Sequence, residues 1–182
     1  MAAPNVTILN TLKNNTITAI ENQLLLLSCI TSGGLPIGII TWQRRHTILV
    51  TNSKNSSWLN YTFTPNRENN GDMYSCLVDH DMLTYSLNQT VKINVLYKPV
   101  VTISILPSSE IFEGQHVMLS CLSDSNPPAN ETVWVKEKEQ EIVSLNSTYF
   151  IESAKNTNSG VYSCFTSNVV GNGSKQIHIV VQ

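Results

Sequence analysis

From residue 5 onward, short apolar or alternating segments are separated by turn residues roughly every eight to twelve positions, the spacing of an antiparallel sandwich or barrel. The first series reads NVTIL, LLLLSCI, IGIITWQ, TILVT, LNYTF, DMYSCLV and TVKINVLY. The second reads VVTISIL, HVMLSCL, ETVWVK, EIVSL, TYFIES, GVYSCFTS and KQIHIVV. β-branched and aromatic residues dominate both, and no segment keeps a helical period. The pattern predicts an all-β chain in which one set of strands is followed by a second. LLLL at 24–27 is too short to cross a bilayer, follows Glu21 and Asn22, and runs straight into Cys29, so it predicts a buried strand.

The two series share a corner. NNGDMYSC ends at Cys76 and NSGVYSC ends at Cys164, each with a Tyr two residues before the Cys and a Gly- and Asn-rich turn before that. A repeat at about 90 residues in a chain of 182 predicts two domains. The joint is VLYKPVV: Val91, Ile93 and Val95 alternate as a last strand should, Pro99 cannot donate to a sheet ladder, and alternation resumes at Val101. The expected division is 1–97 and 98–182, with almost no linker between them.

Composition narrows the class. Hydrophobic residues make up 41% of the chain and charged ones 13%, which leaves a core for each half and too little charge for disorder. The net charge is -2 and the densest basic run is RRH at 44–46, so no clustered positive face is available for nucleic acid. The four Cys include no C-x-x-C and no neighbouring His pair, which favours two disulfides over a zinc site. If each half pairs its own two, Cys29 with Cys76 and Cys121 with Cys164, each bridge closes a loop of about 45 residues and stabilises its domain by roughly 4 kcal/mol in an oxidising compartment. The acceptor pattern N-x-[ST] occurs at Asn5, Asn14, Asn55, Asn60, Asn88, Asn130, Asn146 and Asn172, about twice as often as composition alone gives. N-linked glycans and an extracellular location, cell-surface or secreted, are therefore expected. With no spanning segment of its own, the chain is expected to be a secreted fragment or part of the ectodomain of a longer protein, reaching a membrane only through an anchor outside it.

Trp42 follows Cys29 at the same spacing as Trp134 follows Cys121, and Tyr74 and Tyr162 stand two before the second Cys of each half. On these residues the chain resembles the immunoglobulin superfamily over essentially its whole length. The resemblance implies two tandem β-sandwiches. In each, a disulfide would pin facing sheets, the indole would cover it, and the Tyr hydroxyl would tie the corner backbone. The short separation of the Cys in each half implies I-set or constant-like domains. CFTSNVVGNGS, with Asn168 and Gly171, resembles an I-set ending, and SNPPANETVWVK resembles the corresponding segment of carcinoembryonic-antigen-related adhesion molecules and sialic-acid-binding immunoglobulin-like lectins. The chain departs from the family at the corner, with Asn70 and Asp72 in one half and Asn158 and Gly160 in the other. That removes the Asp of the family's usual Asp–Arg pair, although an Asn amide can still cap the turn.

Candidate chemistry is sparse. GNGSK at 171–175 lacks the full phosphate-loop pattern and predicts a hairpin turn at Asn172-Gly173. The four His lack ligand spacing, and DHD at 79–81 predicts a solvated loop tip. No cofactor, metal or catalytic group is assigned, and the chain is expected to be a non-enzyme. Strand alternation points instead to a protein partner, either a second copy or another surface protein. If Trp42 and Cys76 face inward, then Ile39, Thr41, Gln43 and Arg45 face outward on one strand and Met73, Ser75, Leu77 and Asp79 on its neighbour. Ile39, Met73 and Leu77, with Gln43 among them and Arg45 and Asp79 at the rim, form the candidate contact set. Asn5 and Asn60 should fall on the opposite sheet, whereas Asn88 should share the contact face. In the second half Val133, Val135, Val161 and Phe165 should face outward as well. The implied function is a surface recognition or adhesion module. A secreted recognition or decoy protein and a passive spacer in a longer repeat chain are the alternatives.

Overall fold

A computed structural model describes residues 4–52, 56–108 and 110–182. The chain divides into two units, Met1–Leu96 and Tyr97–Gln182. The first contains β1 (Asn5–Ile8), β2 (Thr16–Ile20), β3 (Leu25–Ser32), β4 (Ile39–Arg44), β5 (Thr47–Thr51), β6 (Trp58–Phe63), β7 (Met73–Asp79) and residues 87–96 of β8 (Leu87–Leu106). The second contains the rest of β8, then β9 (Glu110–Ile111), β10 (Val117–Asn126), β11 (Glu131–Lys136), β12 (Glu141–Ser144), β13 (Thr148–Ile151), β14 (Gly160–Asn168) and β15 (Gly171–Val181).

Both units use one plan. In the first, β1, β3 and β6 form one sheet, and β8, β7, β4 and β5 form the other, with β2 added parallel to β8. In the second, β8, β10 and β13 form the smaller sheet, and β12, β11, β14 and β15 the larger, with β9 parallel to β15. Each unit is thus a sandwich of a three-stranded and a five-stranded sheet. The disulfides Cys29–Cys76 and Cys121–Cys164 cross from the smaller sheet to the larger.

Trp42 and Trp134 are fully buried and are ladder partners of Cys76 and Cys164. Each indole still has its polar end satisfied: the Trp42 N–H donates to the Leu59 carbonyl at 3.0 Å, and that of Trp134 to the Ser147 carbonyl at 3.4 Å. Around them Leu27, Ile40, Val78, Val91 and Ile93 close the first core, and Ile111, Leu119 and Ile179 the second.

Two expectations about strands change. LLLL does not form a buried run: Leu27 is buried, while Leu24 and Leu26 are exposed. β3 belongs to a sheet with one solvated face, and alternation governs it. The last hairpin does not turn at Asn172-Gly173, which pair with Ser167 and Thr166 inside the ladder of β14 and β15. The turn lies at Val169-Val170, where the Asn168 side-chain oxygen accepts from the N–H groups of Val170 and Gly171 at 2.9 and 3.1 Å. Asn168 also donates to the carbonyls of Tyr97 and Pro127, both at 2.8 Å, so one amide organises three segments. Gly173 serves a close approach: a Cβ there would lie 2.2 Å from the Pro99 carbonyl oxygen.

Candidate functional site

The outer surface of β4 and β7 follows from alternation and register. Ile40, Trp42, Tyr74, Cys76 and Val78 point into the core, which turns Ile39, Thr41, Gln43, Met73, Ser75, Leu77 and Asp79 outward. Ile39 lies opposite Asp79, Thr41 opposite Leu77, and Gln43 opposite Ser75. On the other side of β7, Leu77 faces Asn88, Ser75 faces Thr90 and Met73 faces Lys92. The structure thus brings Ile39, Leu77, Gln43 and Asp79 together. Met73 lies further along β7, beyond Ser75, whose hydroxyl pairs with that of Thr90 at 2.7 Å. The predicted apolar trio is therefore interrupted by a polar row.

Arg45 is not on the outer face of β4. The strand ends at Arg44, and Arg45 occupies the β4–β5 turn at φ 48°, where alternation no longer applies. Its guanidinium reaches Asp72 at 3.2 Å, and Arg44 reaches the other carboxylate oxygen at 2.7 Å. Asp72 is buried, and Asn69 donates to it at 3.1 Å. The corner therefore does hold an acidic–basic clamp, built on Asp72 rather than on the position occupied by Asn70. The Asn70 side chain accepts from the Val95 N–H at 3.0 Å instead. A second clamp joins Arg67 to both oxygens of Glu21 at 2.9 and 3.0 Å.

The two tyrosines at these corners differ. Tyr162 donates to the Asn158 carbonyl at 2.9 Å, the corner bond the sequence implies. Tyr74 lies against Arg44, whose guanidinium carbon is 5.9 Å from the ring centre. Burial pushes both hydroxyls up to about 12, the Arg44 charge opposing that rise at Tyr74. In the second unit Lys136 occupies the place of Arg44. Its ammonium donates to the Thr157 carbonyl at 2.8 Å and to Glu139 at 3.1 Å.

DHD is not a solvated tip throughout. Asp79 and Asp81 are exposed, but His80 is buried. Its Nδ1 accepts from the Met82 N–H at 3.0 Å, so Nε2 carries the proton and donates to the Pro36 carbonyl at 2.7 Å. Sequence reasoning missed this because both partners are backbone groups, one of them in a loop distant in sequence.

Seven of the eight acceptor asparagines are exposed, namely Asn5, Asn14, Asn60, Asn88, Asn130, Asn146 and Asn172; Asn55 lies outside the described residues. Asn5 and Asn60 are on the three-stranded sheet of the first unit, away from the β4–β7 face. Asn88 is on that face, directly beside Leu77. In the second unit Val133, Val135 and Val161 are half-buried and Phe165 is exposed; Glu137 covers the hydroxyl of Ser163 between them. Among the described residues no group of three or more His, Cys, Asp or Glu could hold a metal ion.

Comparison with known proteins agrees with this architecture. Residues 98–168 match the immunoglobulin domain family. The chain is 29% identical to human cell adhesion molecule 1 over 166 residues, covering 85% of this chain and 38% of that protein. It is 32% identical to the mouse B-cell receptor CD22 over 101 residues, covering 55% of this chain and 12% of the relative. The chain therefore spans well under half the length of these relatives. The mouse nectin-like molecule 4 ectodomain superposes with a TM-score of 0.75 at 21% identity, covering 98% of this chain and 63% of that one. The chain is a tandem of two immunoglobulin-like sandwiches, similar to the ectodomains of adhesion molecules and immune receptors.

Proposed function

We propose that this tandem of immunoglobulin-like sandwiches is part of a cell-surface recognition or adhesion protein, and that it engages a protein partner, itself or another surface protein, without doing chemistry on it. The observation that carries this reading is the likeness to adhesion molecules through both units rather than through one alone. The contact is assigned to the β4–β7 face of the first unit, with Leu77, Ile39, Gln43 and Asp79 at its centre and Met73 at its far end. Support for that face comes from outward apolar side chains on a rigid sheet, and from acceptor asparagines Asn5 and Asn60 on the sheet behind it. A glycan on Asn88 would stand beside Leu77 and shield it, so occupancy at this position would regulate contact.

Sedimentation of the purified chain across a micromolar range tests this, with Leu77→Asp and Asn88→Gln in parallel. Reversible dimerisation that Leu77→Asp abolishes and Asn88→Gln strengthens is expected for a homophilic face. A monomer throughout directs the test to labelled protein on cell surfaces, where the same two variants should move binding in the same opposite directions. Binding unaffected by Leu77→Asp in both settings overturns the assignment of the face. Mass spectrometry before and after glycosidase treatment of material from a secretory host reads occupancy at each acceptor Asn.

A further inference from the structure

At one end of the first unit, the loop between β3 and β4 and the loop between β7 and β8 enclose a cleft of about 540 Å³. That volume lies within the range of pockets that take a ligand group. The cleft is held open before anything enters it, because the buried His80 imidazole accepts from its own loop and donates to the Pro36 carbonyl of the other. Gly34 lies against the same ring: a Cβ there would come within 2.5 Å of Nε2, and φ is +69°, so a side chain would disturb both backbone and histidine. One satisfied side chain thus ties the two loops together.

The lining is apolar at Ile37, Ile39 and Leu83 and acidic at Asp79 and Asp81. Asp79 accepts from the Ser86 hydroxyl, and among the described residues neither carboxylate is ion-paired. The one basic ring in the lining, His80, has both nitrogens engaged. Tyr85 also lines the cleft and is 85% exposed. An apolar slot with two uncompensated carboxylates and a free aromatic ring is complementary to a long cationic side chain, whose methylenes can lie along the apolar wall while its charge meets the carboxylates and the ring face. A divalent cation fits less well, since His80 has both ring nitrogens engaged and the two carboxylates alone do not make a group of three acidic, His or Cys ligands.

We propose that this cleft is a docking pocket for an arginine or lysine side chain presented by a protein partner. The proposal rests on the recognition-module reading but not on the β4–β7 face being the contact.

The test is an amide NMR titration of the whole glycan-free chain with N-acetylarginine methylamide, and with the neutral citrulline analogue as its isostere. Expected are saturable shifts confined to residues 36–39 and 79–86, in the millimolar range proper to a single anchor, with citrulline about tenfold weaker. Asp81→Asn, at an exposed position, should bring arginine down toward citrulline while leaving the rest of the spectrum unchanged. Equal binding of the two probes, shifts located elsewhere, or no saturable shift would overturn the proposal. Leu77→Ala, which trims the sheet face without placing a charge beside Asp79, should leave this titration unaltered, so failure of the sheet face and failure of the cleft are read separately.

Discussion

The corner clamp on Asp72 makes a quantitative prediction, because its two arginines differ in burial while sharing one carboxylate. The Asp72 side chain is 4% exposed, that of Arg44 34% and that of Arg45 78%. Arg45 is mostly hydrated already and Asp72 keeps Arg44 when it is removed, so Arg45→Ala should cost no more than about 0.5–1 kcal/mol. Arg44 makes the shorter contact, lies against Tyr74, and has its Nε buried without a hydrogen-bond partner, so water does not readily replace the carboxylate. Its charge-assisted bond is worth roughly 1.5–3 kcal/mol, and Arg44→Ala also strands a buried charge, giving an expected loss of about 2–4 kcal/mol. Asp72→Ala should cost about 2–3 kcal/mol, because removing the carboxylate also removes its own desolvation cost.

Urea unfolding of the whole chain, followed through the β7 amides by NMR, gives the stability of the first unit directly. A double-mutant cycle should return about 2 kcal/mol of coupling for Arg44 with Asp72 and well under 1 for Arg45 with Asp72. High salt should erase the second coupling and leave most of the first. Equal costs for Arg44→Ala and Arg45→Ala, or a loss under about 0.5 kcal/mol for Asp72→Ala, would refute the burial argument.

Gly173→Ala should destabilise the second unit by about 2 kcal/mol or more, because the new Cβ meets the Pro99 carbonyl at 2.2 Å; thermal unfolding indistinguishable from wild type would show that the hairpin shifts freely. Tyr162→Phe should cost about 1 kcal/mol through the lost bond to the Asn158 carbonyl, and chemical denaturation with no change in midpoint would count against the corner bond. Alkaline pH supplies a fourth test. The Tyr74 and Tyr162 hydroxyls are pushed up to about 12 by burial, so folded and unfolded chains both keep these protons below pH 10 and stability there is full. Between about pH 10 and 12 the unfolded chain releases them first, and each tyrosine withdraws up to about 2–3 kcal/mol. Tyrosinate absorbance of the folded chain should then lose amplitude from the high-pH end of its titration in Tyr74→Phe and in Tyr162→Phe, and variants that leave that end unchanged would contradict it.

What was legible in the sequence is what period two and repeated spacing determine. Alternation around Trp42 and Cys76 placed Ile39, Gln43, Leu77 and Asp79 on one outer face, because a strand's faces follow from parity alone. The same parity misplaced Arg45, one residue past the end of β4, where a turn with positive φ sends its side chain to a carboxylate instead. Residue preference misled at Asn172-Gly173 for a related reason. Glycine is favoured both where the backbone turns and where another backbone approaches, and only the neighbouring Pro99 carbonyl tells the two apart. Asn168 took the turn because its amide could satisfy two turn N–H groups and two carbonyls at once, a demand set by tertiary neighbours. His80 extends the point: a polar triplet reads as solvated until both ring nitrogens find backbone partners, and then burial stabilises rather than penalises it. At Asn168 and His80 the unsatisfied backbone groups, not the side chain's own polarity, decided where the residue went. The loop end and the corner, where backbone groups lack ladder partners, are therefore where structure added most to the reading of the chain.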